Sequence, residues 1–364
     1  MKPAAFHGGN IYRAGEELGI PENKIIDFSA SINPLGMPKG VIREIDRNIK
    51  YLSHYPDTDA KALRLEIAEY HNIDTEHIIC GNGSTELIYL IVRALQPKKV
   101  LIPVPTFSEY ERASRSYGAR VINYGLKKEH NFDIDVDEFI GVMRGKGELC
   151  DMVFLCNPNN PTGRLIQKKD VLRIAAAAKV LKSYLIVDEA FTDFVPDASV
   201  IHEVEKNPYL IVIRSMTKFY ALAGLRLGYG IFPLKIIDVI KQQKEPWTIN
   251  TLAQRAGIAA LRDSLYENAT YILIDMEKQF LESNFRKAGI RFFHSYANFY
   301  LLKLSNADQL YSNLRVKGML VRLCSDFKGL DKTYIRVAVR TREENVRLLS
   351  ALVPHRNISL DGER

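Results

Sequence analysis

The pattern of this chain predicts an α/β fold built on a mostly parallel sheet, followed by a smaller α+β domain. Three observations lead there. Between about residues 78 and 232, short β-branched runs alternate with longer helical patterns. The polar, glycine-containing clusters fall at the ends of those runs, where open α/β sheets bind ligands. After Pro246 the rhythm changes to long helices and a second set of short strands.

Taken in order, strands are expected over 78–80, 99–102, 120–124, 152–156, 184–187, 209–213 and 228–232. Helices are expected over 86–95, 108–117, 136–144 and 168–181. Beyond them, one or two long helices should fill 250–285, then strands near 291–293 and 299–302 and a helix over 306–316. Strands over 319–322 and 334–339 and a last helix complete the chain, while the first 45 or so residues read as an irregular arm. The expected division is an arm over 1–45 that contributes to the small domain and the active site, a large domain over 46–249 and a small domain over 250–364.

With 364 residues, 46% of them hydrophobic, the chain can bury more than one core. The net charge of +7 is dispersed: no basic run exceeds Lys-Lys and none is interleaved with aromatics. That argues against a nucleic-acid partner and for a small anionic substrate. The four cysteines show no metal-ligand spacing, so no metal is expected and each thiol reads as a buried free one. No apolar leader follows Met1 and no run approaches membrane-spanning length, which predicts a soluble cytoplasmic protein without a membrane partner.

The densest chemistry lies in Ser215-Met216-Thr217-Lys218 and the Arg226 that follows eight residues later. An amine flanked by hydroxyls and a guanidinium can hold a phosphorylated aldehyde as an imine, and apolar neighbours would lower the lysine pKa and free its amine. Gly81-Asn82-Gly83-Ser84-Thr85-Glu86 links a strand to a helix, so its free N–H groups suit a phosphate, although a plain turn with Ser84 or Thr85 as cap has the same look. Asp188 ends an apolar run and could keep a ring nitrogen cationic, or merely cap the next turn. In Asn157-Pro158-Asn159-Asn160-Pro161-Thr162-Gly163, prolines and glycine stiffen the loop and can aim Asn160 at a ligand oxygen. Phe107 could stack on a flat heterocycle or belong to the core, and Arg322 and Arg336 could pair with two anionic groups or reach solvent.

Together these motifs, in this order, resemble the aspartate-aminotransferase-like, fold type I enzymes that use pyridoxal 5'-phosphate. The resemblance implies Lys218 as the Schiff-base lysine, Asp188 on the pyridine nitrogen and Asn160 on the ring hydroxyl. It gives Gly83, Ser84, Thr85, Ser215 and Arg226 to the cofactor phosphate and Phe107 to ring stacking. It also implies a homodimer, in which Tyr55 reaches a phosphate across the interface. Two branches of the family are similar to this chain. Histidinol-phosphate aminotransferases share Tyr-Pro-Asp, Asn-Asn-Pro-Thr-Gly and the two C-terminal arginines. The segments His7-Gly8-Gly9-Asn10 and Asp27 to Gly36 look instead like threonine-phosphate decarboxylases of cobalamin biosynthesis, as does Phe191 where many aminotransferases have tyrosine. That likeness implies a phosphorylated amino-acid substrate, with phosphate held by His7, Gly8, Ser31 and Arg322 and the carboxylate by Arg336. Ser31 stands where that branch leads us to expect asparagine, which keeps serine phosphate in view. A catalytically idle sensing module of the same fold is the remote alternative, and the retained Lys218 argues against it.

Overall fold

In a computed structural model, residues 8–145 and 149–353 are described. The chain opens with helix α1 (Ile11–Leu18), the two-residue strand β1 (Ile26–Asp27), and helices α2 (Lys39–Asn48) and α3 (Lys61–His71). The first 45 residues are therefore less irregular than the sequence suggests. The Asn10 side chain caps α1 by accepting from the Arg13 N–H at 3.0 Å, which satisfies one of its free donors.

The main sheet is built from β2 (Ile78–Asn82), β3 (Lys99–Val104), β4 (Arg120–Gly125), β5 (Met152–Cys156), β6 (Tyr184–Asp188), β7 (Leu210–Ser215) and β8 (Leu227–Ile231). Its seven strands lie in the order β2-β8-β7-β6-β5-β3-β4. Only β8 runs against its neighbours, so the sheet is mixed but mostly parallel, as expected. Helices α4 (Gly83–Leu95), α5 (Glu109–Ser116), α6 (Val136–Arg144), α7 (Lys168–Leu181) and α8 (Leu234–Gln243) accompany the strands.

Both faces of the sheet are covered. Leu185 and Val187 of β6 join one apolar cluster and Ile186 joins the other, and β5 and β7 alternate in the same way. Burial on two sides is why these strands read as continuous apolar runs.

Helix α9 (Thr251–Leu261) packs on α2 and α3, and its Ala253, Ala256 and Ala260 share the core of the main sheet. The large core thus continues past residue 249 and reaches Tyr266. Asp263 then caps a new helix, α10 (Ser264–Ala288), by accepting from the Tyr266 N–H, which is why 250–285 divides in two.

The second sheet comprises β9 (Arg291–Phe293), β10 (Phe299–Lys303), β12 (Arg322–Leu323) and β13 (Tyr334–Ala338), in the order β12-β13-β10-β9. It is accompanied by α11 (Ala307–Val316) and α12 (Arg342–Leu352). The expected strand over 319–322 is two strands serving two sheets. Its first part, β11 (Met319–Leu320), pairs in parallel with β1, while β12 pairs with β13. That division depends on a partner some 290 residues away, which local pattern does not report. Among the described residues no helix is long and apolar enough to cross a membrane.

Candidate active site

Strand directions gather the motifs. Strands β2, β3, β5, β6 and β7 all point their carboxyl ends at one edge of the sheet, and β8 starts there. Ligands of open α/β sheets bind at that edge. One cavity of about 120 Å³ there is lined by Ser84, Thr85, Phe107, Asn160, Asp188, Ser215, Lys218 and Arg226. Eight residues from five separate segments thus meet in one place.

Glycine makes one end of the cavity possible at two positions. Gly83 has φ of +76°, and a Cβ there would lie 2.5 Å from Arg226 Nη2. A Cβ on Gly228 would meet the Ser84 backbone nitrogen at 2.4 Å and the Arg214 carbonyl oxygen at 2.8 Å. The start of α4, with its outward N–H groups, therefore closes directly on β8 and on the guanidinium.

At the other end sits Asp188, 3% exposed. Its Oδ2 accepts from the Tyr110 hydroxyl at 2.6 Å and its Oδ1 from the Ala190 N–H at 3.0 Å. Burial pushes its carboxyl up to about 6, against the two hydrogen bonds, which hold it down. The Lys218 amine moves the other way: burial, with Arg336 and Arg226 nearby, brings it down to about 8. Its Nζ lies 5.8 Å from the centre of the Phe191 ring, which packs edge-on against Phe299.

Asn160 joins this cavity to the rest of the site, since its Oδ1 accepts from Arg336 Nη1. Arg336 Nη2 donates to the Ser29 carbonyl at 2.7 Å, and burial lowers its pKa to about 10. Its Nε has no partner among the described residues. Arg322 lines a wider cleft of about 1,040 Å³ together with Gly8 and Ser29. Two expected residues stand apart. Ser31 is buried, its hydroxyl has no partner among the described residues, and it lines neither cavity. Tyr55 is 82% exposed, its ring 4.9 Å from that of Trp247, and it lies outside the cavity of its own chain. His7 falls outside the described residues.

Sequence reasoning missed Tyr110 and Cys156, which also line the cavity. Tyr110 stacks on Phe154 at 4.9 Å and 10° while bonding Asp188. In the sequence it is one aromatic of a helix, and only the pairing of distant strands brings it to the carboxylate. Among the described residues no group of His, Cys, Asp or Glu could hold a metal ion.

The model of the aminotransferase class I and II family matches residues 23–352. The chain belongs to this family. Its members of this kind are pyridoxal-phosphate enzymes, and so is this chain. It is 37% identical to threonine-phosphate decarboxylase from Salmonella typhimurium over 350 residues, 95% of both chains. It is 36% identical to histidinol-phosphate aminotransferase from Caldanaerobacter subterraneus over 331 residues, covering 89% of this chain and 91% of the relative. The crystal structure of histidinol-phosphate aminotransferase from Clostridium acetobutylicum superposes with a TM-score of 0.84 at 36% identity, covering 90% of this chain and 98% of that one. The cavity suits the cofactor of this aminotransferase family: a cradle of N–H groups, hydroxyls and Arg226 at one end, a buried carboxylate at the other, and an amine between them.

Proposed function

We propose that this chain decarboxylates L-threonine O-3-phosphate to 1-aminopropan-2-ol O-2-phosphate and CO2, the chemistry that supplies the aminopropanol linker of cobalamin. One observation carries the reading. The segment from Asp27 to Gly36, the part that resembles decarboxylases, is wrapped around the catalytic lysine and the substrate arginine. Asn33 N–H donates to the Lys218 carbonyl at 3.0 Å, its Nδ2 donates to the Phe219 carbonyl at 2.8 Å, and the Ser29 carbonyl accepts from Arg336. Sequence identity to a threonine-phosphate decarboxylase across 95% of the chain supports the same reading.

Bound pyridoxal phosphate would supply an electron sink for the charge that develops at Cα when a bond there breaks. Ser84, Thr85, Ser215 and Arg226 would hold its phosphate, with Gly83 leaving room for the guanidinium. Phe107 would stack on its ring and Asn160 would reach its hydroxyl. Asp188, ionised above about pH 6, would keep the ring nitrogen cationic. Arg336 would hold the substrate carboxylate through paired N–H donors, and Arg322, with Gly8, would hold the phosphate. How Arg336 and Arg322 orient the substrate would decide which bond at Cα breaks. With the carboxylate presented for cleavage, CO2 would depart and the Lys218 ammonium would return a proton to Cα; its pKa near 8 suits that exchange. An exposed Tyr55 beside Trp247 accords with a homodimer in which it serves the neighbouring copy, and we place the enzyme in the cytoplasm.

The second reading, transfer of the amino group of histidinol phosphate, is favoured by a relative of that name at 36% identity. Purified enzyme given threonine phosphate and no keto acid should release CO2. Absence of CO2, together with amino transfer from histidinol phosphate to 2-oxoglutarate, reverses the choice. Serine phosphate in the same assay tests whether Ser31 widens the substrate range.

A further inference from the structure

The wide cleft holds three guanidinium groups and two carboxylates among its described lining residues. Glu17 takes Arg13 at 2.5 Å and also Arg315. The remaining acid, Asp326, sits on Arg322: its Oδ2 accepts from Nη2 at 2.6 Å. The other prong, Nη1, donates to the Leu323 carbonyl, and the guanidinium lies over the Phe327 ring at 4.9 Å from its centre.

Resting on the phosphate role given to Arg322 above, we infer that Asp326 is a built-in competitor for that phosphate, and that substrate binding exchanges one anion for the other. A phosphate taken by an arginine uses the paired N–H groups of the fork, and here a carboxylate already occupies one prong. Two anions on one guanidinium repel, so the second arrival must displace the first or share a weakened contact.

The surroundings allow the displacement. The Arg322 side chain is 10% exposed and fixed between a carbonyl and an aromatic face, whereas that of Asp326 is 33% exposed and has water to turn into. The backbone on either side is pinned. Cys324 before Asp326 and Phe327 and Leu330 after it are buried with Phe293 and Tyr334, and Lys328 Nζ donates to Glu111 at 2.6 Å and to Asn123 at 3.0 Å. Exchange is therefore a rotation of one side chain, not a loop opening. Free phosphate meets the competitor with a single anchor, while a substrate that also reaches Arg336 has two. Asp326 thus weakens the hold of Arg322 on any phosphate, and the second anchor at Arg336 keeps a doubly anionic amino acid ahead of inorganic phosphate.

Asp326→Asn keeps the shape and an acceptor for Arg322 but removes the charge, whereas Asp326→Glu keeps the charge. Inorganic phosphate is titrated by calorimetry into cofactor-saturated enzyme, so that the cofactor's own phosphate cradle is filled. The expected result is about three- to tenfold tighter binding to the Asn variant, the scale of a partly exposed ion pair, with the Glu variant close to the parent. The KM for threonine phosphate should fall by a similar factor, and adding Arg322→Ala should abolish the gain. Equal or weaker phosphate binding by the Asn variant, with its absorbance and melting curve unchanged, overturns the inference, as does a gain that survives loss of Arg322. Because phosphate binding is read without turnover, tighter binding in a chain that releases no CO2 refutes the functional reading and leaves the exchange standing.

Discussion

The cavity around Lys218 and the cleft around Arg322 are neighbours built on opposite plans. The first is a narrow space of about 120 Å³ whose walls are the ends of strands in one sheet and the loops and helix starts that follow them. Burial has moved two of its ionisable groups, Asp188 up to about 6 and Lys218 down to about 8. The second is nearly nine times larger, with walls taken from the opening segment, α11 and two-residue strands. Its charges keep exposed partners within reach. A fixed polar environment favours chemistry that must recur identically at each turnover, while paired, exchangeable charges favour ligands that come and go.

Substitutions can break this contrast or sharpen it. The largest effect is expected from Lys218→Ala, which on the proposed reading removes both the covalent anchor and the proton carrier. CO2 release should fall by about 10³-fold or more, and the bound cofactor should lose the absorbance of its lysine adduct. Asp188→Asn should lower kcat by roughly 10²-fold through lost charge stabilisation, with a smaller change in KM. Between cavity and cleft, where Arg336 bonds Asn160 and the Ser29 carbonyl, Arg336→Gln should act mainly on KM, raising it by about tenfold or more, because on the proposed reading it removes a charged contact to bound substrate. A kcat loss as deep as that of Asp188→Asn would show that the two regions do not divide their labour in this way.

The raised Asp188 carboxyl also predicts a pH dependence. A group whose pKa is higher in the folded chain binds a proton that the unfolded chain has released, so its contribution is full below about 4 and is lost as pH rises through about 6. In cofactor-free enzyme, denaturant stability relative to Asp188→Asn should decline across that window by roughly 2 to 3 kcal/mol. The smallest effect belongs to Tyr110→Phe. Losing one buried hydrogen bond should raise the Asp188 pKa further and lower kcat several-fold, with faster cofactor release as the accompanying readout.

The same contrast explains what the sequence made legible. Residues of the cavity announce themselves because each sits where an apolar run stops, and the parallel sheet brings all such stops to one edge. Ser84, Asp188, Asn160 and Lys218 could be named for that reason. Tyr110 could not, since its place depends on α5, packed beside β3 and β4, carrying its side chain to Phe154 of β5 and Asp188 of β6. Of the described residues lining the cleft, only Gly8 and Arg322 were named as substrate contacts from the sequence. Nothing local separates the Arg322–Asp326 pair from any other charged residues four apart, and nothing in 319–322 says that the run serves two sheets. The helices α1 to α3 escaped because their apolar faces are short and their partners, such as α9, lie some 200 residues on.

The thread from Ser29 to Arg336 joins residues 307 apart in the chain. Contacts of that span form late, because the entropy of closing so long a loop must be met before they give anything back. On the ribosome, the sheet can take shape while the arginine end of the pocket is still being synthesised, so an enzyme truncated before β13 should fold its first core yet never become competent to grip an amino acid.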